Sequence, residues 1–207
     1  MTTRSAPTVE RDAADDVQAR LEAPGAGIPW FERKWFGARL RLFALGASRE
    51  KAWSKFEDEA DCLLSLAGSV DEETGRRRVL VPRQAGMEDS SRFWSPYMIV
   101  QHVTIVDRGL LMLVRALAAG KSPDREISTA ALKPSPDAGP ESLEAFRETL
   151  AAWKNQFTAN EDLKSRTRKV HPWFGSLDAH QWFCLAGIHH GIHRKQMEQV
   201  LKGARTP

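Results

Sequence analysis

The sequence predicts an all-α fold, a four-helix bundle with an extra amphipathic helix on its N-terminal side. Two observations carry this prediction. Four segments repeat apolar residues three and four positions apart, the period of one helical face, and each opens on a capping residue or a proline. No segment alternates apolar and polar residues convincingly, so the helices have only one another to pack against.

Composition fits such a fold. With 207 residues, 42% of them hydrophobic and 28% charged, the chain suits one domain with a full core. Seven Trp against one Tyr point to large aromatic anchors in that core or around a pocket. A net charge of +3 is too small to imply a nucleic-acid partner. No run reaches the roughly eighteen apolar residues of a membrane span. No apolar signal core follows Arg4, so the expected location is cytoplasmic. Cys62 and Cys184 fall in apolar helical runs and are expected as buried free thiols, not as a disulfide framework.

Residues 1–28 are rich in Ala, Thr, Pro, Gly and charge and are expected as a flexible tail, with Val17 and Leu21 suited to one helical turn. Residues 29–47 differ: Phe31, Trp35, Ala38, Leu42 and Leu45 recur at helical spacing, with Arg33, Lys34, Arg39 and Arg41 between them. A basic, Trp-bearing helix over 29–45 is of the kind that can lie on a membrane surface. The expectation here is packing across the bundle or a partner subunit, because most amphipathic helices face protein.

Residues 48–203 form the bundle. Ser48 caps a helix carrying Ala52, Trp53, Phe56, Ala60, Leu63, Leu64 and Ala67 inward, with Gly68 as its stop. A polar connection over 69–93 contains Arg76-Arg77-Arg78, a solvated run unless it lies beside a pocket, where it would hold an anionic group. Ser95-Pro96 starts the second bundle helix, with Ile99, His102, Val103, Val106, Leu110, Leu113 and Leu117 along its buried stripe. After a Pro- and Gly-containing loop, Pro140 opens the third, with Leu143, Phe146, Leu150, Trp153 and Phe157 inward. The last runs from Asp178 to Lys202, and Asp178 with Gln181 has the form of a capping box.

On that last helix His189 and His193 stand four residues apart, on a face continued by Trp182, Leu185, Ile192, Gln196 and Val200. Two imidazoles in apolar surroundings are half a metal site. His102 occupies an inward position on a different helix, and bundle cores are where facing helices build metal sites. His102, His189 and His193 are therefore the candidate ligands. Three neutral imidazoles leave a fourth position free, as in catalytic zinc sites, and also suit nickel, iron or copper. His190, turned about 100° away, reads as flanking. His180 reads as surface and His171 as structural.

Trp94-Ser-Pro with His102 eight residues beyond that Trp, together with His189-x-x-x-His193-Arg-Lys-Gln196, resembles the DinB-like (DinB/YfiT-like) superfamily of metal-binding four-helix bundles. The turn His171-Pro-Trp-Phe-Gly-Ser-Leu is similar to that of one branch of it. The resemblance covers residues 48–202. It implies an up-down-down-up helix order, a divalent ion (zinc or nickel first) on His102, His189 and His193, and in many members a homodimer. Some members are transferases or isomerases using low-molecular-weight thiols. The resemblance thus implies a metal-dependent enzyme carrying out thiol-dependent S-transfer or isomerisation of a small-molecule substrate, with metal-dependent hydrolysis second. Lys195 departs from the Gly found in many relatives. The rival class is a non-catalytic, metal-stabilised dimeric bundle acting as an interaction protein. No general base is evident. Gln196 is a candidate for orienting a ligand or substrate, Asp107 for supporting the site, Arg194 for meeting an anionic group, and Trp94, Trp173 and Trp182 for lining a pocket.

Overall fold

A computed structural model of the chain describes residues 16–124, 126–158, 163 and 165–204. Helix α1 (Trp30–Gly46) leads into α2 (Arg49–Gly68), whose first turn is capped by Ser48 Oγ accepting from Lys51 N at 3.2 Å. A short α3 (Glu72–Arg76) and strand β1 (Val79–Leu80) follow. β1 pairs antiparallel with β2 (Phe93–Trp94), Val79 opposite Trp94. Helix α4 (Pro96–Ala118) starts at the expected Ser95 cap, which accepts from Met98 N at 3.2 Å. After α5 (Glu141–Thr158), strands β3 (Arg168–His171) and β4 (Gly175–Asp178) form a hairpin that feeds α6 (Ala179–Ala204). The capping box at the start of α6 is made in both directions: Gln181 N donates to Asp178 Oδ1 at 2.9 Å, and Asp178 N donates to Gln181 Oε1 at 3.1 Å.

The all-α bundle is α2, α4, α5 and α6. Helix α6 packs between α2 and α4, and α5 lies against α4 and α2. The apolar stripes face inward as their spacing requires, with Phe56, Leu63, Ile99, Val103, Leu117, Phe146, Trp153 and Val200 all buried. Phe56 ties three helices together, its ring 5.2 Å from that of Trp153 and 4.5 Å from that of His190. Gly187 permits a close approach of α6 to α2, since a Cβ there would stand 3.1 Å from Phe56 N. No run of eighteen apolar residues occurs, yet by length and mean hydropathy α4 is long and apolar enough to cross a membrane. Of its most apolar stretch 61% is buried inside the bundle, so its apolarity is that of a core helix.

The structure differs from expectation elsewhere too. The first fifteen residues of the expected tail lie outside the described residues. Residues 22–28 are docked, not loose: Glu22 N donates to Asp89 Oδ2 at 3.0 Å, Gly27 N donates to Glu88 Oε1 at 3.1 Å, and Ile28 is buried. On α1 the expected stripe points outward, with Phe31, Trp35, Leu42 and Leu45 each more than half exposed. The face that packs is Glu32, Gly37, Leu40 and Ala44. It is held by Glu32, which pairs with Arg83 and accepts from Gly86 N at 2.9 Å. Cys62 is exposed and only Cys184 is buried; both are free thiols. Cys62 lies outside the buried face of α2, which runs through Ala60 and Leu63.

Candidate metal centre

The two helices that carry the histidines are fixed by their caps and by each other. His102 lies two turns into α4 from Ser95, and His189 and His193 lie on successive turns in the middle of α6. The Nε2 atoms of His102 and His189 are 3.2 Å apart, those of His193 and His189 are 3.0 Å apart, and all three ligand atoms lie within 4.8 Å of one another. The three predicted side chains are therefore brought together from two distant segments.

The tautomers follow from the partners. His102 Nδ1 faces the carbonyl of Leu132 at 2.7 Å, and a carbonyl only accepts, so this nitrogen carries the proton. His193 Nδ1 faces Gln196 Oε1 at 2.8 Å, and Gln196 Nε2 donates to the carbonyl of Ser91 at 2.7 Å. The Ser91 carbonyl fixes which end of the amide is oxygen, and so fixes the proton on His193 Nδ1. Two Nε2 lone pairs are thus turned toward the third ring by hydrogen bonds behind them.

Burial keeps these rings neutral. It is the main cause that holds His102 and His189 well below the ordinary imidazole pKa, with the neighbouring His193 adding to the effect. Burial also pulls His193 down to about 4, against the bond from Gln196. His189 Nδ1 is buried and has no hydrogen-bond partner. Converging lone pairs and an orphaned nitrogen are costly in an empty core. They suit a cation: tetrahedral ligands at about 2.0–2.1 Å from zinc stand ~3.3 Å apart, close to the 3.2 and 3.0 Å that separate His189 Nε2 from the other two. The donor set fits a divalent ion, with His102, His189 and His193 as its holders.

Two neighbours complete the surroundings, Trp94, which the sequence offered, and Glu88, which it did not. The Trp94 ring lies parallel to His193, tilted by 14° with centroids 6.0 Å apart, and its centroid is 4.9 Å from that of His102. Glu88 is a buried hub, accepting from Gly27 N, Thr129 Oγ1 at 3.2 Å and Lys133 Nζ at 2.6 Å. Burial alone would raise its pKa, but the Lys133 ammonium and these donors hold it below the usual carboxylate value. Burial lowers Lys133 in turn. Glu88 thereby gathers the N-terminal segment and the 129–133 turn around the histidines. Nothing in the sequence singled out this one carboxylate.

The other candidates do not join the three-histidine group. Asp107 and His190 are both fully buried and face each other, Oδ2 to Nε2, at 2.8 Å. Asp107 therefore supports His190 and not the three-histidine group, and His190 is core, not flanking. Arg194 is engaged by Glu59 and Glu198, each at 2.6 Å, and does not line the site. Arg76 and Arg77 pair with Glu72 and Glu73, and Arg78 Nη2 donates to Gln18 Oε1, so the arginine run staples surface elements. His180 is half-buried, its Nε2 3.2 Å and 3.1 Å from the carbonyls of Ala44 and Ala47. His171 is structural, its Nδ1 accepting from Trp173 N at 3.0 Å within the hairpin turn. Trp173 and Trp182 line a cavity beside the histidines.

The sequence model of the DinB superfamily matches residues 52–197, and α1 lies outside that range. The chain is also similar to the crystal structure of TT2238, a four-helix bundle protein. That likeness has a TM-score of 0.52 at 20% identity and spans 73% of this chain and 98% of the other. It speaks for the fold alone. None of the curated proteins matches.

Proposed function

The chain belongs to the DinB superfamily, and from that premise we propose that it is a divalent-metal-dependent enzyme whose ion is held by His102, His189 and His193. The observation that carries this reading is the convergence of three neutral Nε2 atoms, two of them with their protons fixed on the far side of the ring. An ion held there would supply Lewis acidity, favouring the deprotonated form of a thiol or water at neutral pH.

The protein's own contribution is to hold and orient. Leu132 and Gln196 set the tautomers of His102 and His193, and Trp94 backs both rings. The adjoining cavity offers room for a small molecule beside the histidines. The reaction class that accords with the family is transfer or isomerisation dependent on a low-molecular-weight thiol, with zinc or nickel as the ion.

The test begins with metal content. Protein prepared without an affinity tag should carry about one zinc or nickel per chain by elemental analysis, and His189→Ala should carry none. A panel of thiols with electrophilic acceptors should then show turnover that a chelator abolishes and the ion restores. Wild-type protein that neither carries nor takes up a divalent ion would end this reading. Metal without turnover would favour a metal-stabilised structural role.

A further inference from the structure

The three histidines form one end of a cavity of about 780 Å³. Pockets of about 300–1,000 Å³ accommodate drug-sized molecules. What distinguishes this one is its wall. Helix α4 contributes Ile105 and Leu110, α6 contributes Ile188, and the β3–β4 hairpin contributes Trp173 and Phe174. Another side is lined by Phe36 of α1, which together with Ile192 crowds onto Gly86. A Cβ at Gly86 would stand 2.9 Å from Phe36 Cζ and 3.1 Å from Ile192 Cδ1, and its φ of +87° also favours glycine. The inner cation, Lys133, is already paired with Glu88 at 2.6 Å. The other lining cations are engaged as well, Arg108 by Thr149 Oγ1 at 3.0 Å and Glu148 at 3.8 Å, and Lys169 by the Pro123 carbonyl at 2.6 Å, so a charged ligand group would have to compete for each of them, whereas most of the remaining lining is apolar.

We propose that this cavity binds a neutral, predominantly apolar small molecule with one polar end at the histidines. In this proposal α1, outside the family-matched range, is the wall that limits its size. The catalytic meaning rests on the metal-enzyme reading; the binding itself does not. In a thiol-dependent reaction, the apolar partner and not the thiol fills the cavity.

The test uses the full chain and the neutral fluorophore N-phenyl-1-naphthylamine, with and without a chelator. Saturable one-to-one binding is expected, with energy transfer from tryptophan. Ile105→Glu and Phe36→Glu, both at half-buried wall positions, should each weaken binding at least tenfold while leaving the circular dichroism unchanged. Leu45→Glu, on the exposed face of α1, should leave it unchanged. Decanol should displace the probe at lower concentration than decanoate.

Binding that Leu45→Glu weakens as much as the wall variants do would put the probe on the outer stripe of α1 and overturn the proposal. So would non-saturable binding, or a tenfold preference for decanoate. Should one glutamate variant fail to fold, the other still decides. The expected binding pattern in protein that takes up no metal would support the cavity and sink the metal reading alone. Stoichiometric metal without probe binding would do the reverse.

Discussion

Gln196 Oε1 accepts from His193 Nδ1 at 2.8 Å while its own amide nitrogen donates to the Ser91 carbonyl at 2.7 Å. The amide is locked from both ends, so the bond fixes the ring's tautomer and direction as well as its position. Loss of such a support beneath a metal-binding histidine typically weakens affinity roughly 10–100-fold. Gln196→Ala is therefore expected to lower zinc affinity within that range in chelator competition, with the helical signal preserved. Unchanged affinity would remove Gln196 from any positioning role.

His189 behaves differently, because its Nδ1 has no partner to lose. In metal-free protein, His189→Leu removes a buried unsatisfied nitrogen and places apolar atoms where the other rings crowd. It is expected to leave stability within about 1 kcal/mol of the parent or to raise it. With zinc at a hundred times its dissociation constant the parent gains about 2.7 kcal/mol and the variant gains nothing. Chemical denaturation with and without zinc reads both numbers. A large loss in the metal-free variant would mean that His189 is held by bonds rather than by a missing ion.

Much of this site was readable from periodicity alone. A histidine at a position where a helix calls for an apolar side chain is conspicuous, and His102, His189 and His193 all stand at such positions. The supports were not legible, because Leu132 and Ser91 act through carbonyls that every residue has and Glu88 sits in an aperiodic loop. On α1 the rule misled. Its packing face includes Glu32, an acid that reads as solvent-facing until Arg83, fifty-one positions away, is seen to meet it. The bulkier apolar set was therefore assigned inward and lies outward. The ribbons escaped because β1 and β2 have two residues each, and β3 and β4 are mostly polar. His190 read as flanking because α6 was credited with one buried face, whereas α2 covers another.

The Asp107–His190 pair is a second buried ionisable unit, and its role is structural. The carbonyl of Phe56 faces His190 Nδ1 at 3.3 Å, and Asp107 Oδ2 faces Nε2 at 2.8 Å. Burial raises the Asp107 carboxyl above its ordinary pKa, against the pull of His190. Breaking a buried pair from one side costs about 3–5 kcal/mol, while replacing both members with apolar residues is often neutral. Asp107→Ala should destabilise by roughly that amount, and Asp107→Leu with His190→Phe should recover most of it. Metal content should stay at the parent value in every variant that folds. Loss of metal in the folded double variant would tie the pair to the site after all.

The hairpin supplies a pH dependence separate from the metal. His171 Nδ1 accepts from Trp173 N at 3.0 Å and Phe174 N at 3.3 Å, and its ring stacks on Phe174 at 4.5 Å. The acceptor role requires an unprotonated Nδ1, and burial pulls the pKa from 6.5 to about 3. The folded state therefore refuses a proton that the unfolded chain takes up below pH 6.5. Stability from this residue is complete above pH 6.5 and falls as pH drops from there toward about 3. One proton of difference gives a slope of about 1.4 kcal/mol per pH unit. In metal-free protein, His171→Phe keeps an aromatic ring over Phe174 and Trp182 but cannot titrate. Denaturation midpoints measured between pH 6.5 and 4 should then fall less steeply in the variant, by up to that slope, even if its stability at neutral pH is lower. Parallel curves for parent and variant would show that the hairpin turn accepts a protonated ring, and the neutral acceptor assigned to His171 would be wrong.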